Sequence, residues 1–207
     1  MRFVAFLILF SLFSSCKKDV IEFTIEGTIS DSSLGGGLQS GTIKLFKIPA
    51  GGGLPDLVTS VTSDATGKYS ITFQRDKSEE YRIVFEKSDY FSEEFTIYFS
   101  QLSTNEAYVH NFSVEARSEI KWIIRNVNPQ NTADQVTIQK LNGRTDCEDC
   151  CPITSYEYTG SVYNDTLSCA VAGNKYVRFY IVNLATEIHL DSVLCPSFGV
   201  AEYVVEF

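Results

Sequence analysis

Apolar and polar residues alternate in short runs along most of the chain. In Ile21-Glu22-Phe23-Thr24-Ile25-Glu26 the apolar side chains fall on one side and the polar ones on the other, the period of a half-buried strand. The same alternation predicts strands over Gly41–Ile48, Leu57–Ser63, Tyr69–Phe73, Tyr81–Glu86, Glu94–Phe99 and Ala107–Ala116. It restarts at Ile120, Trp122 and Ile124, which share one face, and continues through Val136–Leu141, Ser155–Tyr163, Thr166–Ala172, Tyr176–Asn183, Glu187–Val193 and Val200–Phe207. No stretch of ten or more residues outside the N-terminal leader has helical spacing. Gly35-Gly36-Gly37 and Pro49-Ala50-Gly51-Gly52-Gly53 break the pattern as loops. Asp64-Ala65-Thr66-Gly67-Lys68 reads as a hairpin turn, because Gly67 can take positive φ at little cost.

About seven strands on each side, with turn signals every ~8–12 residues, predict an all-β protein of two tandem immunoglobulin-like or transthyretin-like β-sandwiches. The expected domains are residues 20–116 and 118–207. No Gly/Ser-rich linker separates them near Arg117-Ser118, so the two are expected to abut with limited motion.

The N-terminus breaks the alternation. Arg2, the apolar run Phe3–Phe13 and Ser14-Ser15-Cys16 supply the positive start, apolar stretch and small-residue cleavage site of an export signal. The run is too short to span a bilayer, which takes about 20 apolar residues. Leu12-Phe13-Ser14-Ser15-Cys16-Lys17-Lys18-Asp19 resembles the lipobox of bacterial lipoproteins, in a form similar to those of Bacteroidetes-type bacteria; Phe13 stands where that family usually has Leu. The resemblance implies a signal peptide over residues 1–15, lipidation of Cys16, and a tether over residues 16–19. It also implies a place on the outer membrane or cell surface, with the leaflet face left open. Seven residues separate Cys16 from Phe23, a reach of roughly 25 Å for extended chain. The first sandwich is therefore expected to sit near the membrane and the second to project outward.

Composition narrows the partners. The chain carries a net charge of −9, and loss of Arg2 with the leader would make the body more acidic still. Nucleic-acid binding needs basic stripes, so no nucleic-acid partner is expected. Lipid would outweigh repulsion from anionic head groups, which is only about 1 kcal/mol per charge close to the surface.

A family resemblance covers the first half. Ile25-Glu26-Gly27-Thr28-Ile29, Gly41-Thr42-Ile43-Lys44-Leu45, the segment Thr62–Ser70 with its D-x-T-G-x-Y turn, and Tyr81-Arg82-Ile83-Val84-Phe85 with Tyr90-Phe91 resemble the carboxypeptidase regulatory-like, transthyretin-like sandwich. In that family the domain is a non-catalytic accessory or binding module. The second half carries no family fingerprint.

Of six cysteines, Cys16 is assigned to lipid. Cys147, Cys150, Cys151, Cys169 and Cys195 all lie in the second half. Outside the cytoplasm such thiols usually oxidise, so two bridges and one free thiol are expected, one bridge joining the 147–151 loop to Cys169 or Cys195. A Cys150–Cys151 bond is disfavoured, because neighbouring Cα atoms sit ~3.8 Å apart and bridges prefer about 5.5 Å. Cys147-x-x-Cys150 with two more thiolates is the zinc alternative, and Asp146, Glu148 and Asp149 a calcium one; neither has the spacing of a known site, and no metal or cofactor is assigned.

No catalytic constellation stands out. His110 and His189 each sit in a strand-like run and are expected on sheet surfaces. The pairs Glu79-Glu80 and Glu93-Glu94 read as solvated charge. There is no P-loop, G-x-S-x-G elbow or H-E-x-x-H, and the chain is expected not to be an enzyme. Candidate binding aromatics are Tyr90, Phe91 and Tyr98 beside the tip of the first sandwich, and Tyr156 with Tyr158 on one strand face. The alternative is that aromatics here serve the cores, with Phe85, Phe95 and Phe99 inside and Trp122 inside by its alternation. Asp165-Thr166-Leu167 and Asp191-Ser192-Val193 resemble O-glycan acceptors of Bacteroidetes-type exported proteins, which implies Thr166 and Ser192 as modified hydroxyls. The functional expectation is a non-catalytic, membrane-anchored binding module for a glycan, peptide or envelope protein. The alternative is a structural or assembly subunit of an envelope transporter or adhesin complex.

Overall fold

A computed structural model describes residues 20–49, 51, 53–183 and 187–207, with residue 187 described by its backbone only. The leader, Cys16 included, lies outside the described residues. The chain is all-β and forms two sandwiches. The first contains β1 (Glu22–Asp31), β2 (Thr42–Pro49), β3 (Asp56–Thr62), β4 (Lys68–Gln74), β5 (Ser78–Glu86), β6 (Glu93–Tyr98), β7 (Tyr108–Val109) and β8 (Phe112–Val114). One sheet runs β4-β1-β7 with β8 also on β1, and the other β3-β2-β5-β6. The second sandwich contains β9 (Arg117–Arg125), β10 (Gln135–Lys140), β11 (Ser155–Thr159), β12 (Asn164–Ala172), β13 (Lys175–Asn183), β14 (Glu187–Cys195) and β15 (Val200–Glu206). Its sheets run β12-β9-β15 and β11-β10-β13-β14.

Alternation explains the layers. Phe23, Ile25 and Ile29 of β1 and Tyr69, Ile71 and Phe73 of β4 point inward against Ile43, Leu45, Tyr81, Ile83 and Phe85 of the facing sheet. In the second sandwich Ile120, Trp122 and Ile124 meet Val136, Ile138, Val177 and Phe179. The Trp122 and Phe179 rings cross edge to face, with centroids 5.5 Å apart. Full burial of one large apolar side chain contributes about 1.5–3 kcal/mol, so these two cores, rather than the turns, supply the main stabilisation.

Four expectations change here. The turn at 64–68 is not a hairpin. Strand β3 pairs with β2 while β4 pairs with β1, so the turn carries the chain from one sheet to the other. The Asp64 carboxylate accepts the backbone N–H groups of Thr66 and Lys68 at 2.8 and 2.9 Å. Gly67 (φ 82°) turns its carbonyl toward β1, where Ile29 N–H donates to it at 2.8 Å.

The run 107–116 is also not one strand. It breaks at His110-Asn111, where Asn111 Oδ1 accepts the Thr28 N–H and the Tyr69 hydroxyl donates to the His110 carbonyl at 2.7 Å. A Cβ on Gly27 would lie 1.7 Å from that carbonyl oxygen, so the break fits only against glycine. His110 is half-buried rather than on an open surface: its ring stacks on Phe95 at 4.0 Å and meets the edge of Phe112, and burial lowers its pKa. Phe95 is 37% exposed, so it covers a sheet edge instead of filling the core.

Gly27→Ala tests the close approach by sign. Where the backbone fits, Gly→Ala stabilises by about 0.4–1 kcal/mol. At position 27 it is expected to destabilise, read as a lower urea midpoint at unchanged slope.

Candidate functional site at the domain junction

The chain passes from β8 into β9 through Glu115-Ala116 with no spacer, and the turn after β5 folds back onto this segment. Phe91 N–H donates to the Glu115 carbonyl at 3.0 Å and Arg117 N–H to that of Asp89 at 2.8 Å. From the second sandwich, Gly173 N–H donates to the Ala116 carbonyl at 2.8 Å, and Phe198 N–H holds Arg117 within that sandwich at 2.7 Å. Side chains add to this backbone seam. Asn174 Nδ2 donates to the Ser33 carbonyl at 3.0 Å, and the Tyr90 hydroxyl donates to the buried Asp31 carboxylate at 2.6 Å. Asp89, Asn174 and Phe198 are three of the four described non-glycine residues with positive φ. Such backbone is uncommon for non-glycine residues, and it collects where the two sandwiches meet.

Phe91 sits at the centre. It is 2% exposed, with the Arg117 guanidinium 4.7 Å from the ring centroid and that of Arg144 4.6 Å from it. Carboxylates balance both cations. Arg117 pairs with Asp149. Arg144 reaches Glu93 at 2.7 Å and Glu115 at 3.4 Å in the first sandwich, and Asp146 at 2.5 Å in its own loop. Lys175 also reaches Glu115, at 2.7 Å. Burial works against the Arg144 charge, but the hydrogen bonds to Asp146 and Glu93 outweigh it and raise its pKa. The hydrogen bond from Arg144 lowers that of Asp146.

The cysteines hold the loop that carries these groups. Cys147 bonds Cys150 and Cys151 bonds Cys169, with Cα separations of 5.0 and 5.2 Å. The first bridge packs against Phe91 and Ala170, and the second ties the loop to β12. Of the two partners considered for that loop, Cys169 takes the bond. Cys195 is a buried thiol on the opposite sheet, its pKa pushed up to about 11 by burial. The ligand atoms of Cys147, Asp149 and Cys150 lie within 4.8 Å of one another. Both sulfurs are bonded to each other, however, so neither offers the thiolate that zinc requires.

Two clefts share Arg117 in their walls. One, of about 530 Å³, is walled by Asp89, Arg117, Glu119, Asp149, Ser168 and Phe198. The other, of about 510 Å³, is walled by Phe91, Glu93, Arg117, Arg144, Asp146 and Cys147. Apart from the exposed Asp89, the wall charges are engaged in ion pairs or hydrogen bonds, Glu119 with Ser168 and Lys121 included. That arrangement suits holding surfaces in place.

The candidate aromatics separate. Tyr90 and Phe91 are junction core rather than a binding platform, because the second sandwich covers them. Tyr156 and Tyr158 sit opposite Ile138 and Val136 and pack half-buried on the second core, so they too are not a free platform. Tyr98 is 53% exposed at the end of β6. Thr166 and Ser192 are exposed, on β12 and β14. His189 is exposed, 3.4 Å from Asp191. Glu93 is not solvated charge but half of the Arg144 pair, whereas Glu94 is exposed beside Arg82. Sequence reading missed Arg117 and Arg144; their one signal was position, with Arg117 at the domain boundary and Arg144 in the cysteine loop.

No family model matches the chain, and no curated protein matches it. Among solved structures it is similar in shape to the TIE protein of Bacillus anthracis, at 12% identity and a TM-score of 0.39 over 90% of this chain. The chain spans about a third of that protein, 34% of its length. It is similar to the shaft pilin SpaA of Lactobacillus rhamnosus GG at 6% identity and 0.38, covering 89% of this chain and 97% of the pilin. It is also similar to a DUF3823 family protein of Parabacteroides merdae at 13% identity and 0.34, covering 86% of this chain and 99% of that one.

Lys140 supports the junction from beneath. It is 1% exposed on the inward row of β10, and its Nζ donates to the Arg144 carbonyl at 2.7 Å. Burial lowers its pKa. The folded state therefore disfavours the proton. The penalty is full below the folded pKa, shrinks as pH rises and vanishes above the ordinary value near 10.5. Lys140→Met removes it. The stability of the variant relative to wild type is thus expected to fall between pH 7 and 10 in paired urea titrations. A flat difference would show that Lys140 is not buried as a cation.

Proposed function

We infer that the chain is an exported, lipid-anchored envelope protein that holds a binding surface away from its membrane without catalysing a reaction. The observation that most supports this is the welded junction. Two sandwiches joined by backbone hydrogen bonds, a buried aromatic and a charge cluster move as one body, so an anchor at one end sets the position of the other. The two disulfides fit an oxidising compartment, and the leader with Cys16 supplies the address. No helix of the described residues is long and apolar enough to cross a membrane; this reading attaches the chain through lipid at Cys16. The proposed ligands are a glycan, a peptide or an envelope protein, taken by the outward sandwich.

A second reading, an assembly subunit of an envelope transporter or adhesin complex, draws on the open edge of the second sandwich. Among the described residues strand β14 pairs with β13 alone, and such edges accept another strand.

The anchor is tested by Cys16→Ala in a bacterial host that processes lipoproteins. Wild type is expected in the membrane fraction and to incorporate labelled palmitate. The variant is expected to lose the label and to fail cleavage before residue 16. Equal labelling of both would overturn the anchored reading.

A further inference from the structure

Strand β14 has the residues to pair with itself. Arg178 C=O accepts the Leu141 N–H on the β10 side of β13, so by strand alternation the odd-numbered residues of β13 and their odd-numbered partners on β14 bond each other. The even-numbered residues Ile188, Leu190, Ser192 and Leu194 then direct N–H and C=O to the open edge. Ser192 fits this, since its N–H donates to the Asp191 carboxylate at 2.7 Å in place of a backbone partner.

The side chains at this edge are inverted relative to an ordinary guarded strand. Those on the outer face are largely apolar and exposed: Ile188 74%, Leu190 68% and Leu194 45%. Tyr176 lies opposite Leu194 and is 60% exposed, which extends the patch onto β13. The inner row carries polar groups instead, the His189 imidazole and the Asp191 carboxylate, which also accepts from the Tyr203 hydroxyl at 2.7 Å. Inward charge usually keeps an edge from pairing. Here an imidazole that can donate and a carboxylate lie two residues apart with Leu190 between them, so each meets its complement in a second copy.

We propose that two copies of this chain join edge to edge through antiparallel β14 strands, with a two-fold axis at Leu190. In this register Leu190 faces Leu190 of the second copy, and Ile188 faces the second copy's Ser192. Each His189 faces the other copy's Asp191. An imidazole N–H directly across a strand pair can donate to a carboxylate, whereas like charges opposite each other are unfavourable. Sliding the axis to Asp191 would oppose two carboxylates, and sliding it to His189 would leave each carboxylate without the imidazole opposite it, so this pairing favours the Leu190 register over both. The contact is isologous and closes at two copies. It continues one sheet across both molecules and brings the two apolar outer patches side by side. It does not depend on lipid or on the ligand of the outward sandwich.

The register makes a covalent test available. A hydrogen-bonded antiparallel pair holds Cα atoms about 5.5 Å apart, the separation a disulfide prefers. The full chain carrying Leu190→Cys, oxidised in native membranes, is expected to run as a disulfide-linked dimer on a non-reducing gel. Val162→Cys, 96% exposed on a distant loop, is the control and is expected to stay monomeric. Leu190→Lys is expected to abolish the dimer that the detergent-solubilised wild type shows in sedimentation, while keeping the wild-type circular dichroism and the melting temperature of wild type diluted to monomer. Cross-linking of Leu190→Cys no greater than that of Val162→Cys would overturn the proposal. So would a cross-linked product of another mass, which would assign the edge to a different protein.

Discussion

One aromatic ring between two guanidinium groups joins the molecule. Phe91 belongs to the first sandwich, Arg117 opens the first strand of the second, and Arg144 comes from the cysteine loop. A cation over an aromatic face contributes ~0.5–2 kcal/mol, toward the upper end when desolvated. Neither contact would hold two domains alone. Their weight comes from what they organise. Each guanidinium is set against the ring by carboxylates, and those on Arg144 come from both sandwiches, so separating the sandwiches would take Glu93 and Glu115 from a partly buried Arg144. The cost of an unpaired buried charge exceeds the worth of the pair itself. The network therefore opposes separation more strongly than a count of its attractions suggests.

The disulfides act on the same point. Loops are ordinarily the most mobile part of a sandwich, yet the segment from Asn142 to Cys151 must present Arg144, Asp146 and Asp149 at fixed positions. The Cys151–Cys169 bond closes a loop of 18 residues, for which the chain-entropy model gives about 3 kcal/mol. The Cys147–Cys150 bond closes only a turn, and its larger effect is to present a compact sulfur surface to Phe91 and Ala170. Oxidation, ion pairing and aromatic packing thus meet in one small region.

Much of the architecture is legible in the sequence because strand alternation is local. Ile120, Trp122 and Ile124 announce a buried face by spacing alone. What was not legible depends on partners remote in sequence. The turn at Asp64–Lys68 has the composition of a hairpin, and its crossing between sheets is decided by Ile29. The break at His110 depends on a glycine 83 positions away, in β1. Tyr90 and Phe91 read as exposed aromatics because their own segment is a turn; their cover arrives with Phe198 for Tyr90 and with Cys150 and Ala170 for Phe91. The cysteine spacing indicated two bridges but left open a choice between Cys169 and Cys195, which is settled only by which sheet faces the loop. Site residues were the least legible, since arginine in a polar stretch carries no mark of the ring it will cover.

The rigid junction is tested most directly by native-state hydrogen exchange. The amides of Arg117 and Gly173 bond across the junction to the carbonyls of Asp89 and Ala116. If the sandwiches move as one body, these two amides exchange only with global unfolding, at the same opening free energy as the core amides of Ile25 and Trp122. Exchange of the two by a common, lower-energy opening, with both cores still protected, would show a hinge and contradict the welded junction.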